Sequence, residues 1–198
     1  DGSKVVASND EGLFSGDFAF ESGFVRIARK PGSEGTLTVS NGGELEVRPG
    51  ESANTETSGP GLSLGEELDS RGTLVVDGPG SVVNIRQDSP LDQLGPFLEI
   101  GEGLGAGEVT IRNGGEVSLD GPSPGVFVSE AEAGGTGSQE TTDTTAIEQS
   151  TLQIESGGTL ALSDDTGGIA ELIVGQRAGG DGAVVVTGDG SEIALETT

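Results

Sequence analysis

The chain has 198 residues, 31% of them hydrophobic, and its 34 acidic side chains against nine basic ones leave a formal net charge of −25. So few cations argue against binding a nucleic-acid backbone, and the absence of Cys and His removes disulfides, thiolate metal sites and a histidine acid–base group. With 37 glycines the composition drifts toward that of a disordered chain, so the order of the residues has to decide whether it folds.

Residues 1–23 match nothing downstream and hold Phe14, Phe18 and Phe20, half of the six Phe. A cap or a partial rung over the first end of a coil is expected there, with an aromatic carbohydrate platform as the sharper alternative. After them, short apolar-x-apolar strands come in sets of three. The first set is Val25-x-Ile27, Leu37-x-Val39 and Leu45-x-Val47. The second is Leu62-x-Leu64, Leu74-x-Val76 and Val83-x-Ile85, and the third is Leu98-x-Ile100, Val109-x-Ile111 and Val117-x-Leu119. Val126-x-Val128, Leu152-x-Ile154 and Leu160-x-Leu162 form the fourth, and Leu172-x-Val174, Val184-x-Val186 and Ile193-x-Leu195 the fifth. These thirty positions take most of the 43 Val, Ile and Leu in the chain.

The corners repeat as well. Between the second and third strands stands Asn-Gly-Gly (41–43, 113–115), Ser-Gly-Gly (156–158) or Gly-x-Gly-Ser (78–81, 188–191). Gly65, Gly101 and Gly175 leave the first strand, where a tight turn needs positive φ. Ala28 and Ser129 replace glycine there, so those two corners are expected to differ in shape. Asn-Gly between alternating runs is ordinarily a hairpin signal. Strands this short, in threes with unlike corners, fit a coil better. Each round then makes one triangular rung, and equivalent strands stack in parallel about 4.8 Å apart. The expected fold is all-β, a single-domain parallel β-helix (β-solenoid) of about five three-stranded rungs over 24–198, with an inserted loop at 129–149. Ile147 of that loop is expected to fold back over the outward-facing Phe127 and Ile173.

The phrases LSLGEELDSRGTLVVDGPGSVVNI, LEIGEGLGAGEVTIRNGGEVSL and LIVGQRAGGDGAVVVTGDGSEIAL together resemble the autotransporter/PEP-CTERM-associated repeat of bacterial secreted proteins. The resemblance spans roughly residues 24–196. It implies export and display at a bacterial cell surface, in stalk or adhesin-like proteins, and it transfers no catalytic residues. The absence of Met fits a processed or excised piece.

A Ser–Lys nucleophile would have to use Lys4 or Lys30, both near the N-terminus. The outward strand positions are Arg26, Ser63, Glu99, Phe127 and Ile173, then Thr38, Val75, Thr110, Gln153 and Val185, then Glu46, Asn84, Ser118, Ala161 and Ala194. No row collects the acids and cations of a pectate-lyase-like enzyme, so no catalytic residues and no enzyme are expected. Calcium is a candidate cofactor at Asp164-Asp165-Thr166-Gly167 or Gly188-Asp189-Gly190, against solvated turn acids as the plainer alternative. The expected role is a rigid structural or adhesive segment, a stalk or fibre subunit that self-associates end to end through strands left open beyond Leu195. The alternative is a carbohydrate-binding or carbohydrate-active β-helix. The expected partners are a second copy or a surface glycan. Without a run of about 18 apolar residues, no transmembrane segment is expected.

Overall fold

Alternation of aliphatic and polar residues with period two makes strands with one dry face, and the structure shows that pattern closing on itself. The computed structural model describes residues 4–7, 18–21, 23–49, 59–87, 95–130, 149–164, 166–176 and 180–197. Seventeen strands and no helix occur among them. Two belong to the N-terminal segment, β1 (Lys4–Ala7) and β2 (Phe18–Glu21). The other fifteen form five rounds of three. They are β3 (Phe24–Ile27), β4 (Glu34–Ser40) and β5 (Glu44–Val47), then β6 (Gly61–Leu64), β7 (Arg71–Asp77) and β8 (Val82–Arg86). The third round is β9 (Phe97–Glu102), β10 (Ala106–Arg112) and β11 (Glu116–Asp120). The last two are β12 (Gly125–Glu130), β13 (Ser150–Glu155) and β14 (Thr159–Asp164), and β15 (Glu171–Val174), β16 (Gly182–Thr187) and β17 (Glu192–Thr197).

The strands assemble into three sheets, one per side of the coil. The first sheet runs β2-β3-β6-β9-β12-β15, the second β4-β7-β10-β13-β16, and the third β1-β5-β8-β11-β14-β17. Every pairing is parallel except β2 with β3. The chain is a parallel β-solenoid with three strands per rung.

Register explains the repeat. Leu37, Leu74, Val109, Leu152 and Val184 are successive partners on the second sheet, and so are Val39, Val76, Ile111, Ile154 and Val186. The first and third sheets stack their triplets in the same way. Every residue of the buried aliphatic cluster belongs to the thirty marked positions. Leu37, on the edge strand β4, is only partly buried. The last rung is the other exception. Val174, Val186 and Leu195 are 43%, 44% and 49% exposed, whereas their neighbours Val128, Ile154 and Leu162 are at most 1% exposed.

Of the N-terminal segment, the structure describes two strands. β1 is the third strand of a partial rung, with Val5 opposite Leu45 and Ala7 opposite Val47. β2 instead turns back antiparallel along β3, placing Phe18 opposite Ile27 and closing that sheet with a strand of opposite direction. Phe14 lies outside the described residues.

One expectation about the corners is corrected. Ala28 and Ser129 do not differ in backbone shape from their glycine counterparts. Ala28 has φ 60° and Ser129 61°, against 66° at Gly65, 78° at Gly101 and 66° at Gly175. The turn out of the first strand is imposed by the rung above and below, because Gly65 N donates to the Ile27 carbonyl and Glu102 N to the Gly65 carbonyl. A left-handed Ala costs about 1–2 kcal/mol, which two long ladders can carry.

Candidate functional site

The polar chemistry gathers on the outer side of the first sheet and on the corner that leads to the second. Along one outward row stand Phe24, Gly61, Phe97 and Gly125, in register. The Phe97 ring leans across β6 to meet Phe24, with centroids 4.8 Å apart and planes tilted by 57°. Gly61 makes this possible, since a Cβ there would fall inside the Phe97 ring. The Arg26 guanidinium lies 4.6 Å over the Phe24 ring, a cation–π contact. In the next row Ser63, fully buried, donates to Glu99 Oε2 at 2.7 Å.

Arg26 also reaches the corner. Its Nε is 2.9 Å from Glu66 Oε1, and Arg29 Nε is 3.7 Å from Glu66 Oε2. The Glu66 side chain is 12% exposed. Burial pushes its carboxyl up to about 7; Arg26 opposes that most strongly, Glu102 adds to it, Arg29 opposes it and Glu67 adds again. Strand-by-strand reading missed Glu66, because it follows the left-handed Gly65 in a corner. Aligning corners instead of strands exposes the signal. The residue after each turn is Arg29, Glu66, Glu102, Glu130 and Gln176, charged in the first four rungs. A carboxyl that titrates near neutrality is the kind used for proton transfer. Here two guanidinium groups already hold it.

Two further outward carboxylates are held by arginines. Glu46, on the outer side of the third sheet, is 5% exposed and meets Arg86 Nη2 at 3.0 Å and Arg48 Nη1 at 3.9 Å. Asp77 accepts from Asn113 Nδ2 at 2.8 Å and from Arg112 Nε and Nη2 at 3.1 and 3.0 Å. The Asn113 hydrogen bond, then the Arg112 one, lowers its pKa. Phe127 and Ile173 are neighbours across β12 and β15 and half-buried, while Ile147, expected to cover them, lies outside the described residues.

Of the calcium candidates, Asp164 is fully buried and saturated by donors. Its Oδ2 accepts from Ser123 N at 2.9 Å, and its Oδ1 accepts from Thr166 N and Thr166 Oγ1, both at 2.8 Å. Burial pushes its pKa up, but those bonds together with Gly168 N outweigh it and hold the carboxyl at about 2. Its charge is met by N–H and O–H groups that tie the 164–168 corner to Ser123, where a cation would need those lone pairs. Asp165 lies outside the described residues. Asp189 sits in the turn between β16 and β17. Among the described residues no three acidic groups converge as a metal ion would require, and no helix is long and apolar enough to cross a membrane. Compared with protein-family models, curated proteins and solved structures, the chain matches none.

Proposed function

We propose that this chain is a rigid β-solenoid segment of a bacterial secreted surface protein, a stalk or fibre subunit that carries loops outward and adheres or self-associates. The observation that supports this reading best is the unbroken stacking of aliphatic triplets along all three sheets. Side chains interlocked at the strand spacing resist bending, and successive rungs add length without altering the cross-section. Among the described residues β15, β16 and β17 are sheet edges with Val174, Val186 and Leu195 exposed on them, and end-to-end association would use such an edge. The first end is different in kind, because antiparallel β2 covers one sheet and β1 extends another.

Light scattering over a concentration series tests the association. Growth of the assembly with concentration, lost on Leu195→Glu, supports it, and monomers at every concentration remove it. The second reading, a glycan-binding β-helix, is favoured by one feature, the Phe24–Phe97 pair with Arg26, Ser63 and Glu99 alongside on the first sheet's outer side. A glycan array and a panel of uronate polymers separate the two. Binding that is lost on Phe97→Ala would favour the glycan reading, whereas no binding and no turnover leaves the stalk.

A further inference from the structure

We propose that Asn113, in the corner between β10 and β11, is a self-modification site that loses its side-chain amide to water and becomes an acidic residue. Asn41, in the same kind of turn two rungs earlier, is protected from this reaction by Ser81 of the rung between them.

Asparagine is a thermolabile residue, and Asn-Gly is its most reactive setting because glycine puts no side chain in the way of its own nitrogen. That nitrogen attacks the asparagine Cγ. The N–Cγ bond forms, the Cγ–Nδ2 bond breaks, and ammonia leaves with the proton that the glycine nitrogen gives up. Water then opens the five-membered imide at either of its two carbonyls. One product is aspartate in the ordinary backbone, and the other is aspartate linked through its side chain. Each carries a new carboxylate. At 113 that carboxylate would face Asp77, where the Asn113 amide now donates to Asp77 Oδ1 at 2.8 Å.

The two Asn-Gly corners control for each other. Asn41 and Asn113 both have φ 55°, and the glycines after them have φ 72° and 78°. The difference lies at the glycine nitrogen. Gly42 N, half-buried, donates to Ser81 Oγ at 3.1 Å, and fully buried Ser81 donates in turn to the Asp77 carbonyl at 2.8 Å. Attack by Gly42 N would strip that buried oxygen of its donor. Gly157 N is held in the same way by Ser191 Oγ at 3.1 Å. The corner following Asn113 is Ser156-Gly157-Gly158, which lacks the fourth-position serine. Among the described residues Gly114 N meets no acceptor, and both Asn113 and Gly114 are exposed, so water reaches the imide. The bond from Asn113 to Asp77 does not offset this, because it is exposed and water replaces it at little cost. Two aspartate versions of the dipeptide follow the protected pattern. Gly78 N donates to the Arg112 carbonyl and Gly121 N to the Ser163 carbonyl, both at 3.1 Å.

The test incubates the full chain in mildly alkaline buffer, folded and in urea, and follows conversion at both positions by peptide mapping with mass spectrometry. Dividing each folded rate by its rate in urea removes the influence of the preceding residues, Ser40 and Arg112. Asn113 should keep about three- to tenfold more of its unfolded rate than Asn41 does, the factor expected when one hydrogen bond holds the attacking nitrogen. Ser81→Ala should raise the folded rate at Asn41 by a similar factor and leave that at Asn113 in place. Equal retained rates at the two positions, or an Asn113 that does not convert in the folded chain, overturn the proposal, as does an Asn41 rate indifferent to Ser81→Ala. If Ser81→Ala fails to fold, the two wild-type rates decide it.

Discussion

Ala28, Gly65 and Gly175 share one left-handed backbone conformation, at equivalent corners of different rungs, yet they have different room around them. Ala28 buries its methyl completely. A Cβ on Gly65 would run into the Ala106 carbonyl, whereas one on Gly175 would come no nearer than 3.4 Å to Gly180 O. Gly175→Ala should therefore cost only the left-handed penalty of about 1–2 kcal/mol, and Gly65→Ala clearly more, in denaturant unfolding. Ser81 shows how one hydroxyl serves two rungs. It is fully buried, donates to the Asp77 carbonyl at 2.8 Å and accepts from Gly42 N at 3.1 Å in the rung before. Ser191 repeats this with the Thr187 carbonyl and Gly157 N. The pairing gives a physical reason for a Gly-x-Gly-Ser corner to stand next to an Asn-Gly-Gly or Ser-Gly-Gly one. Ser81→Ala leaves two backbone groups unmet and should lower stability by about 1–3 kcal/mol. Asp164 gives the chain an acid limb of stability. Its folded pKa of about 2 lies below the ordinary 3.8, so its contribution is complete above about 3.8 and disappears as pH falls through about 2. Asp164→Asn should flatten acid unfolding over that interval, as followed by circular dichroism.

At the scale of the element, the Asn-Gly-Gly corners are two-residue turns with hairpin chemistry. Asn41 and Gly42 have φ 55° and 72°, and Gly43 N donates to the Ser40 carbonyl at 3.0 Å. That is the backbone of a type I′ turn. It does not make a hairpin here, because β4 and β5 lie in different sheets and each finds its partners one rung away. Spacing and set-of-three recurrence identified this from sequence where the dipeptide alone would have misled. The strands themselves were legible for the same reason, since alternation is a local property of each triplet. Partner choice was legible where triplets recur and opaque where they do not, which is why antiparallel β2 was not foreseen. Burial grades the strands within each sheet. Ile111, fully buried in central β10, should lose about 2–5 kcal/mol on replacement by Ala. Val186, 44% exposed on edge strand β16, should lose much less, and paired urea titrations compare them directly.

For the whole molecule, equivalent rungs imply that one can be removed. Phe97 and Gly125 are register partners, so excising residues 97–124 joins Pro96 to Gly125 at the same point of the next rung. The shortened chain should still unfold cooperatively with a β-type circular dichroism spectrum, at a lower midpoint because less surface is buried. Loss of folding would mean that the rungs are not interchangeable. The deletion also removes Phe97, Glu99 and Glu102, and with them the aromatic pair and the like charge facing Glu66. A glycan interaction centred on that cluster would vanish with it, whereas end-to-end association through the last rung would persist.

The order of residues alone was enough to place the fifteen strands of the coil, their recurrence in sets of three and the aliphatic positions that line its inner side. Period-two alternation and near-constant spacing leave parallel stacking as the arrangement that buries every triplet at once. The reversed strand at the first end, the common shape of the Ala28, Gly65 and Ser129 corners, and the shared duty of Ser81 came from folding. The same holds for the meeting of Glu66 with arginines from the rung before it. Each of these depends on how far a group is withdrawn from water and which neighbour lies directly above or below it. Those quantities come into being only when residues dozens of positions apart are brought to the strand spacing.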